Sequence, residues 1–434
     1  MILGIDIGTS TISIVLCRPD GVVERVWNLK NDSKLPDQLH PYLQDPAWIC
    51  EQVQSHFQRI SKEYSIERVG ITCQMHGILY VDAKGQAVSP LYTWEDESGL
   101  EIAPSGRCYL DELNALAGTQ LTRGIAFGCL THFYLTRNNG IPQQAVCFCG
   151  IGDYIAMRLC GNTKPMVHIS MAASFGLFDL RAQDFDRNAV HRAGLDARWF
   201  PKVIRGSQCV GHAPNGAAVS AAIGDNQASF LGSVRDWDSE ILLNLGTGGQ
   251  ISCYSHEIVE RDGIETRPLL DGDYLNVYTS HCGGRAYAAL ERFYRDVLEM
   301  AGMHSNSLYA AMEASAARLE DQPRDAVRVT PAFCGSRVDP LARCEISNLT
   351  LDNFNPAALS LGFMEGICQE LYPFYQRCLT THSFRQITGS GNTIRRNSVM
   401  QRTIERVFGL PLRLTDSPEE AAIGAVRYAS QMHL

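Results

Sequence analysis

Two short glycine turns could hold a polyphosphate. Gly8-Thr9-Ser10 follows the run Ile2 to Ile7, and Gly246-Thr247-Gly248 follows a run ending Asn244-Leu245. Such turns let the backbone approach phosphate oxygens closely and aim N–H and hydroxyl groups at them. Asp6, just before the first turn, suits a magnesium ion held largely through water, since hard cations prefer carboxylate oxygens and keep much of their hydration. Plain hairpins explain one such turn equally well. Two at matching places in the two halves weigh toward phosphate. A third cluster, Gly389-Ser390-Gly391-Asn392, runs on through Arg395 and Arg396 to Asn397. It has neither the Gly-Lys-Ser/Thr of a Walker A loop nor the spacing of a dinucleotide site.

Asp225, in Ile223-Gly224-Asp225-Asn226-Gln227, follows one strand-like run and precedes a helical one. There it serves as a helix cap or as a general base taking a proton from an attacking hydroxyl. The residue types leave the two readings even. Gln74-Met75-His76-Gly77 and Thr93-Trp94-Glu95-Asp96 supply an aromatic face with polar tips, the usual lining for a polyol. A lone histidine or tryptophan is more often core, so the residues by themselves give no more than a candidate pocket.

The elements that must position these groups mix strands and helices, which argues for an α/β architecture. Ile2 to Leu16 reads as strand, tight turn, strand, and Arg68 to Cys73 as another strand. Asn355-Pro356 supplies an N-cap and a first-turn proline. After it Leu359, Phe363, Ile367, Leu371 and Phe374 form one apolar stripe. Ser417-Pro418-Glu419-Glu420 has capping-box spacing and predicts a last helix from Ser417. At 434 residues the chain is too long for one ordinary core. The two turns suggest two similar lobes with a cleft between them, divided near Ile223-Gly224.

Composition narrows the function further. Hydrophobic residues at 45% and charged residues at 20% suit a soluble globular protein. The net charge of −9 comes without any basic block, so no nucleic-acid or membrane partner is expected. Met1 to Cys17 is apolar but lacks a basic n-region and is broken by Asp6, which speaks against a signal peptide. No segment is long and apolar enough to span a bilayer. The fifteen cysteines stand singly, with no C-x-x-C pair, as free thiols do in a reducing compartment. A cytoplasmic location is expected. Whether the chain acts alone or as a homodimer is left open.

In this order the motifs resemble those of the FGGY carbohydrate kinases, which share the actin-like ATPase fold. The likeness runs over nearly the whole chain. It takes in Asp6 to Ser10, Gln74 to Gly77, Thr93 to Asp96, Asp153-Tyr154 with Arg158-Leu159-Cys160-Gly161, and Ser174 to Asp179. Gly224 to Gln227, Asn244 to Gly249 and Gly389 to Asn397 complete it. The resemblance implies two actin-like (ribonuclease H-like) lobes: 1–223 with sugar binding and the first phosphate turn, 224–434 with the catalytic aspartate and the ATP elements. It implies ATP and magnesium, with Asp6 near the metal and a small sugar as substrate. Asp225 becomes the base. Gln74, Met75, His76, Trp94, Asp96, Asp225 and Asn226 become sugar contacts. Gly8, Thr9, Ser10, Gly246, Thr247 and Gly248 become phosphate contacts, and Gly389, Ser390, Gly391, Asn392 and Asn397 adenosine contacts.

Within the family, Gly-Asp-Asn-Gln-Ala-Ser at 224–229 and Gly-Ser-Gly-Asn at 389–392 are more similar to the branch acting on sedoheptulose than to the xylulose branch. Xylulose or another ketose is the alternative acceptor, and a non-catalytic nucleotide-binding regulator is the alternative of another class. Three departures stand out. Glu97-Ser98-Gly99 replaces an expected glycine-arginine pair, Cys73 replaces a glycine, and the chain is short for the family.

Overall fold

The computed structural model describes all residues except 37–41, 124–125, 260–262, 323–324, 337–338, 340, 380–382 and 433–434. The chain forms two compact units. The first comprises Met1–Gly232, Arg267–Asp273 and Glu419–Leu434; the second comprises Ser233–Thr266 and Tyr274–Pro418.

The first unit is built on a sheet of β1 (Ile2–Ile7), β2 (Thr11–Cys17), β3 (Val23–Lys30), β4 (Arg68–Cys73), β5 (Cys209–His212) and β6 (Ala218–Gly224). Their order is β5-β6-β4-β1-β2-β3. β1–β2 and β2–β3 are antiparallel, while β1–β4 and β4–β6 are parallel. A regular alternation of polar and apolar residues is absent here: β1, β4 and β6 are apolar nearly throughout and almost wholly buried, as strands covered on both faces must be. One cover is the helix Ile151–Leu159, where a Cβ on Gly152 would lie 2.6 Å from the Ala222 Cβ and 2.7 Å from the Cys73 sulfur. Against that helix packs α1 (Pro46–Glu63), started by Asp45, whose carboxylate accepts from the Ala47 and Trp48 N–H groups. A second helix, α2 (Asp225–Ser233), follows β6 directly.

The chain's last helix also covers this sheet. A Cβ on Gly4 would lie 2.1 Å from the Ala422 carbonyl oxygen, and one on Gly70 would lie 1.9 Å from that of Ala425. Only glycine in β1 and β4 lets that helix come so close. The helix spans Glu420–Ser430, not from Ser417 as its capping-box spacing predicts, and Glu419 at its start makes no side-chain cap bond. The Ser417 carbonyl instead accepts from Arg395 Nη2 at 2.7 Å, which fixes the segment outside the helix.

A second sheet, in the second unit save for Arg267 and Pro268, repeats the plan with β7 (Glu240–Leu245), β8 (Gly249–Ser255), β9 (Glu265–Pro268), β10 (Tyr274–Ser280), β11 (Gln386–Ser390) and β12 (Leu412–Leu414), in the order β9-β10-β8-β7-β11-β12. β7–β8 and β8–β10 are antiparallel, while β7–β11 and β11–β12 are parallel. Helices α3 (Gly283–Met300), α4 (Pro356–Cys378) and α5 (Ser398–Phe408) surround it. Asn355 caps α4 by accepting from the Ala358 N–H, and Leu359, Phe363, Ile367, Leu371 and Phe374 are all buried. In both sheets a hairpin is followed by a third antiparallel strand, and parallel strands are added on the other side of the first.

None of the fifteen cysteines is in a disulfide. Among the described residues no helix is long and apolar enough to cross a membrane.

Candidate active site

In sheets of this kind, ligands bind beyond the carboxyl ends of the parallel strands. Five of the motifs singled out in the sequence fall there, while Thr93 to Asp96 follows the short strand Leu91–Tyr92, which pairs antiparallel with Leu43–Gln44 outside both large sheets. In the first unit, β1 ends before Gly8, β4 before Gln74 and β6 before Asp225. These strands are adjacent and parallel, so their carboxyl ends share one edge. In the second unit, β7 ends before Gly246 and β11 before Gly391.

Asp6 lies in β1, paired across to Ser13 and Thr72. Its Oδ1 is buried without a hydrogen-bond partner among the described residues. Burial, then the charges of Asp225 and Glu419, push its carboxyl up from 3.8 to about 8. Asp6 is thus repelled by two further acids. Yet no group of three or more His, Cys, Asp or Glu side chains among the described residues forms a metal cage. A buried carboxylate oxygen with no hydrogen-bond partner among the described residues fits magnesium, which takes one or two protein carboxylates and keeps its waters.

Asp225 is the first residue of α2, and its Oδ1 accepts from the Asn226 N–H at 2.8 Å. Burial raises its carboxyl to about 6, opposed by that N–H and by the Arg267 guanidinium. The neighbouring Asn226 Oδ1 is buried with no hydrogen-bond partner among the described residues. Met75 is buried, and its sulfur stands 2.7 Å from where a Cβ on Gly224 would lie, so it backs the strand end that carries Asp225.

The first turn closes with the Gly8 N–H donating to the Thr11 carbonyl at 2.9 Å. Thr9 Oγ1 donates to Gln74 Oε1 at 3.1 Å and accepts from Trp94 Nε1 at 3.0 Å, so three predicted residues meet. Ser10 is exposed, and its carbonyl accepts from the Asn31 N–H.

His76 has φ +71°, a left-handed conformation that costs a non-glycine residue energy and clusters at functional sites. Its Nδ1 lies 2.7 Å from the Ser174 carbonyl oxygen. A carbonyl only accepts, so Nδ1 carries the proton and Nε2 is the acceptor of the neutral ring. The Phe127 ring packs edge-on against it at 5.4 Å.

Asp96 is buried. Its Oδ1 accepts from the Ser98 N–H at 3.1 Å, and its Oδ2 from Ser98 Oγ at 2.8 Å and Thr131 Oγ1 at 3.4 Å. The unusual Glu97-Ser98-Gly99 segment thus has a physical account. Ser98 satisfies the Asp96 carboxylate, Glu97 is exposed, and Gly99 makes room for Leu130, whose Cδ2 would lie 2.4 Å from a Cβ there. Next to it is a cavity of about 220 Å³ lined by Tyr42, Trp94, Glu95, Asp96, Glu97 and Leu130 among others.

In the second unit the carbonyls of Gly246 and Thr247 accept from the Gly284 and Arg285 N–H groups at 2.8 and 3.0 Å, seating the turn on the start of α3. A Cβ on Gly284 would lie 2.5 Å from the Gly246 oxygen. Gly391 abuts the same turn, since a Cβ there would lie 2.4 Å from the Leu245 oxygen. Gly389 and Ser390 close β11 and are buried. Asn392 and Asn397 line a cavity of about 530 Å³ with Tyr287, Tyr309, Glu313 and Arg396. Tyr287 and Tyr309 stack with centroids 5.9 Å apart. Asn397 also caps α5, its Oδ1 accepting from the Met400 N–H.

Sequence reasoning missed Gln44, Arg267, Glu419, Gly283-Gly284 and the two stacked tyrosines. Only the glycine pair, following a strand, left a local signal. The others reach their places from distant segments.

The N-terminal domain of the FGGY family of carbohydrate kinases matches residues 1–239, and the C-terminal domain of the same family matches residues 259–432. The chain therefore belongs to the FGGY family of carbohydrate kinases. It is 25% identical to the mouse sedoheptulokinase, over 100% of this chain and 98% of that protein. It is 24% identical to the human sedoheptulokinase, over 85% of this chain and 82% of that one. Its fold matches the crystal structure of a gluconate kinase from Lactobacillus acidophilus with a TM-score of 0.82 at 18% identity, covering 99% and 88% of the two chains. The topology of each unit is that of the actin-like, ribonuclease H-like ATPases.

Proposed function

We propose that this carbohydrate kinase transfers the γ-phosphoryl group of ATP to sedoheptulose, giving sedoheptulose 7-phosphate. The acceptor assignment is supported by likeness to two sedoheptulokinases, one of them over the full chain. A cavity wall bearing Glu95, Asp96 and Glu97 also favours a neutral polyol over an anionic sugar acid. The chemistry rests above all on Asp225. It is held at the head of a helix with its carboxyl near 6, so it is ionised at neutral pH yet basic enough to take a proton.

Asp225 accepts the proton of the terminal sugar hydroxyl as that oxygen attacks the γ-phosphorus and ADP departs. The Asn226 Oδ1, without a protein partner, accepts from another sugar hydroxyl. Gln74, His76, Trp94 and Asp96 orient the sugar, and Met75 supports the floor. Gly8 to Ser10 and Gly246 to Gly248 bind phosphate oxygens. Gly389 to Asn392 and Asn397 support adenosine, with the 530 Å³ cavity as its seat. Asp6 would hold magnesium, and the ion when bound would supply charge neutralisation on the phosphates. In this reading the first unit carries the acceptor elements, the first turn and Asp225 with Asn226, and the second carries the nucleotide elements. Phosphoryl transfer needs positioning and charge complementarity more than covalent help, and these residues supply both.

The deciding experiment is ADP release with ATP and magnesium, comparing sedoheptulose, xylulose, gluconate and no sugar. Release that depends on sedoheptulose, with the product phosphorylated at the seventh carbon, is expected. Release only with xylulose would keep the base and overturn the acceptor.

A further inference from the structure

Four side chains of the first unit form a hydrogen-bonded circuit that the chemistry above leaves unexplained. Trp94 Nε1 donates to Thr9 Oγ1 at 3.0 Å, and Thr9 Oγ1 donates to Gln74 Oε1 at 3.1 Å. Gln74 Nε2 donates to Gln44 Oε1 at 2.8 Å, and Gln44 Nε2 donates to the Thr9 carbonyl at 2.8 Å. The direction is fixed at both ends, because an indole N–H only donates and a carbonyl only accepts. Every group between them therefore has one orientation. Thr9 stands in the circuit twice, by its hydroxyl and by its carbonyl. Its single hydroxyl proton is committed to Gln74, so Thr9 meets a phosphate through its backbone, not its O–H.

Gln44 and Gln74 are buried, where a satisfied polar network selects one arrangement and a broken one leaves groups unpaired. Gln44 ends the short strand Leu43–Gln44, paired to Leu91–Tyr92, which leads directly to Trp94. Gln74 follows β4, and its N–H also donates to the Ile7 carbonyl just before the turn. Elements read as sugar contacts are thus wired to the first phosphate turn.

We propose that Gln44 is a positioning residue that couples the acceptor site to the phosphate turn, so that sugar bound at Trp94 and Gln74 tightens nucleotide binding. This rests on the roles given to those elements above. The coupling is reciprocal, since nucleotide must then tighten sugar by the same factor. No residue of the circuit needs to move far, because fixing the Thr9 carbonyl fixes the turn.

The test is the affinity of a non-hydrolysable ATP analogue with and without a saturating acceptor, by calorimetry. The acceptor is whichever ketose supports ADP release. In the native protein the sugar should tighten the analogue by roughly 5- to 150-fold, the common range for coupled sites. In Gln44→Leu and Thr9→Val that ratio should fall close to one, and in Thr9→Ser, which keeps the hydroxyl, it should persist. A native-like ratio in folded Gln44→Leu, or no coupling in the native protein, overturns the proposal. Should Gln44→Leu fail to fold, the Thr9→Val and Thr9→Ser pair decides by the same ratio. If no sugar supports ADP release, the acceptor reading fails by itself. The circuit is then read in the free protein by amide hydrogen exchange at Gly8 to Ser10. Exchange there should quicken about fivefold or more in Thr9→Val over Thr9→Ser, and equal rates overturn the proposal.

Discussion

Asp6→Asn should make the ligand-free protein more stable while removing its activity. Asp6 Oδ1 makes no hydrogen bond among the described residues, so the substitution breaks none of these at that atom. What it removes is a charge that burial and the Asp225 and Glu419 carboxylates oppose, raising the group to about 8. The sign follows from linkage. A carboxyl whose folded value lies above its unfolded value of about 3.8 contributes its full stability below that value, and loses it as pH rises through the folded value. At one pH unit per 1.36 kcal/mol, the ionisable side chain costs the folded state up to about 5 kcal/mol at pH 7.5 and about 2 kcal/mol at pH 5. The advantage of Asp6→Asn should therefore grow between pH 5 and 7.5 by as much as about 3 kcal/mol. Urea unfolding at the two pH values, followed by tryptophan fluorescence, measures it. Trp27, Trp48, Trp94 and Trp199 all lie in the first unit with Asp6. Sugar-dependent ADP release should drop more than about 100-fold if Asp6 has the metal role proposed for it. A variant less stable than the native protein at pH 7.5, or a stability difference that ignores pH, would refute the reasoning.

Asp225→Asn should lower kcat by roughly 10²–10⁴-fold while calorimetry still finds both substrates bound; near-native turnover would remove it from its role. With Asp225 near 6, kcat/KM of the native enzyme should fall about tenfold per pH unit below that value, and a flat acid limb in a pH–rate profile would contradict the base. Gly246→Val should keep its melting temperature, because a Cβ there meets only Asn244 Oδ1 at 3.9 Å, yet lose nucleotide affinity. Gly284→Ala, whose Cβ would strike the Gly246 oxygen, should lower the melting temperature, and equal stability of the two variants would show the turn is seated otherwise. Tyr309→Ala should weaken ATP binding roughly 5- to 100-fold if the base stacks in the tyrosine-lined cavity; unchanged affinity in a titration would place adenosine elsewhere.

The placement of many candidate residues at strand ends was legible because strand and turn are contiguous in the chain. Ile2 to Ile7 is almost uniformly apolar and ends in a glycine turn, so the strand, its end and Gly8 could be read together. The same holds for Arg68 to Cys73 before Gln74, and for Asn355-Pro356 before the stripe of α4. Motif order then carried the family. The last helix shows the limit of local rules. Ser417 to Glu420 has the spacing of a capping box, but Arg395, 22 residues earlier, claims the Ser417 carbonyl, and the helix starts at Glu420.

Sequence alone determined what is local: which segments are strands, where glycine permits a turn, and which acids and amides follow strand ends. The tertiary structure decided what depends on parallel pairing between distant segments. Setting β1, β4 and β6 side by side brings Thr9 to Gln74 and couples Asp6 electrostatically to Asp225. It also returns Glu419 to the first unit, at the start of a helix that Gly4 and Gly70 admit. Those carboxyl values and the Gln44 circuit arise from burial and through-space charge, which no spacing along the chain encodes.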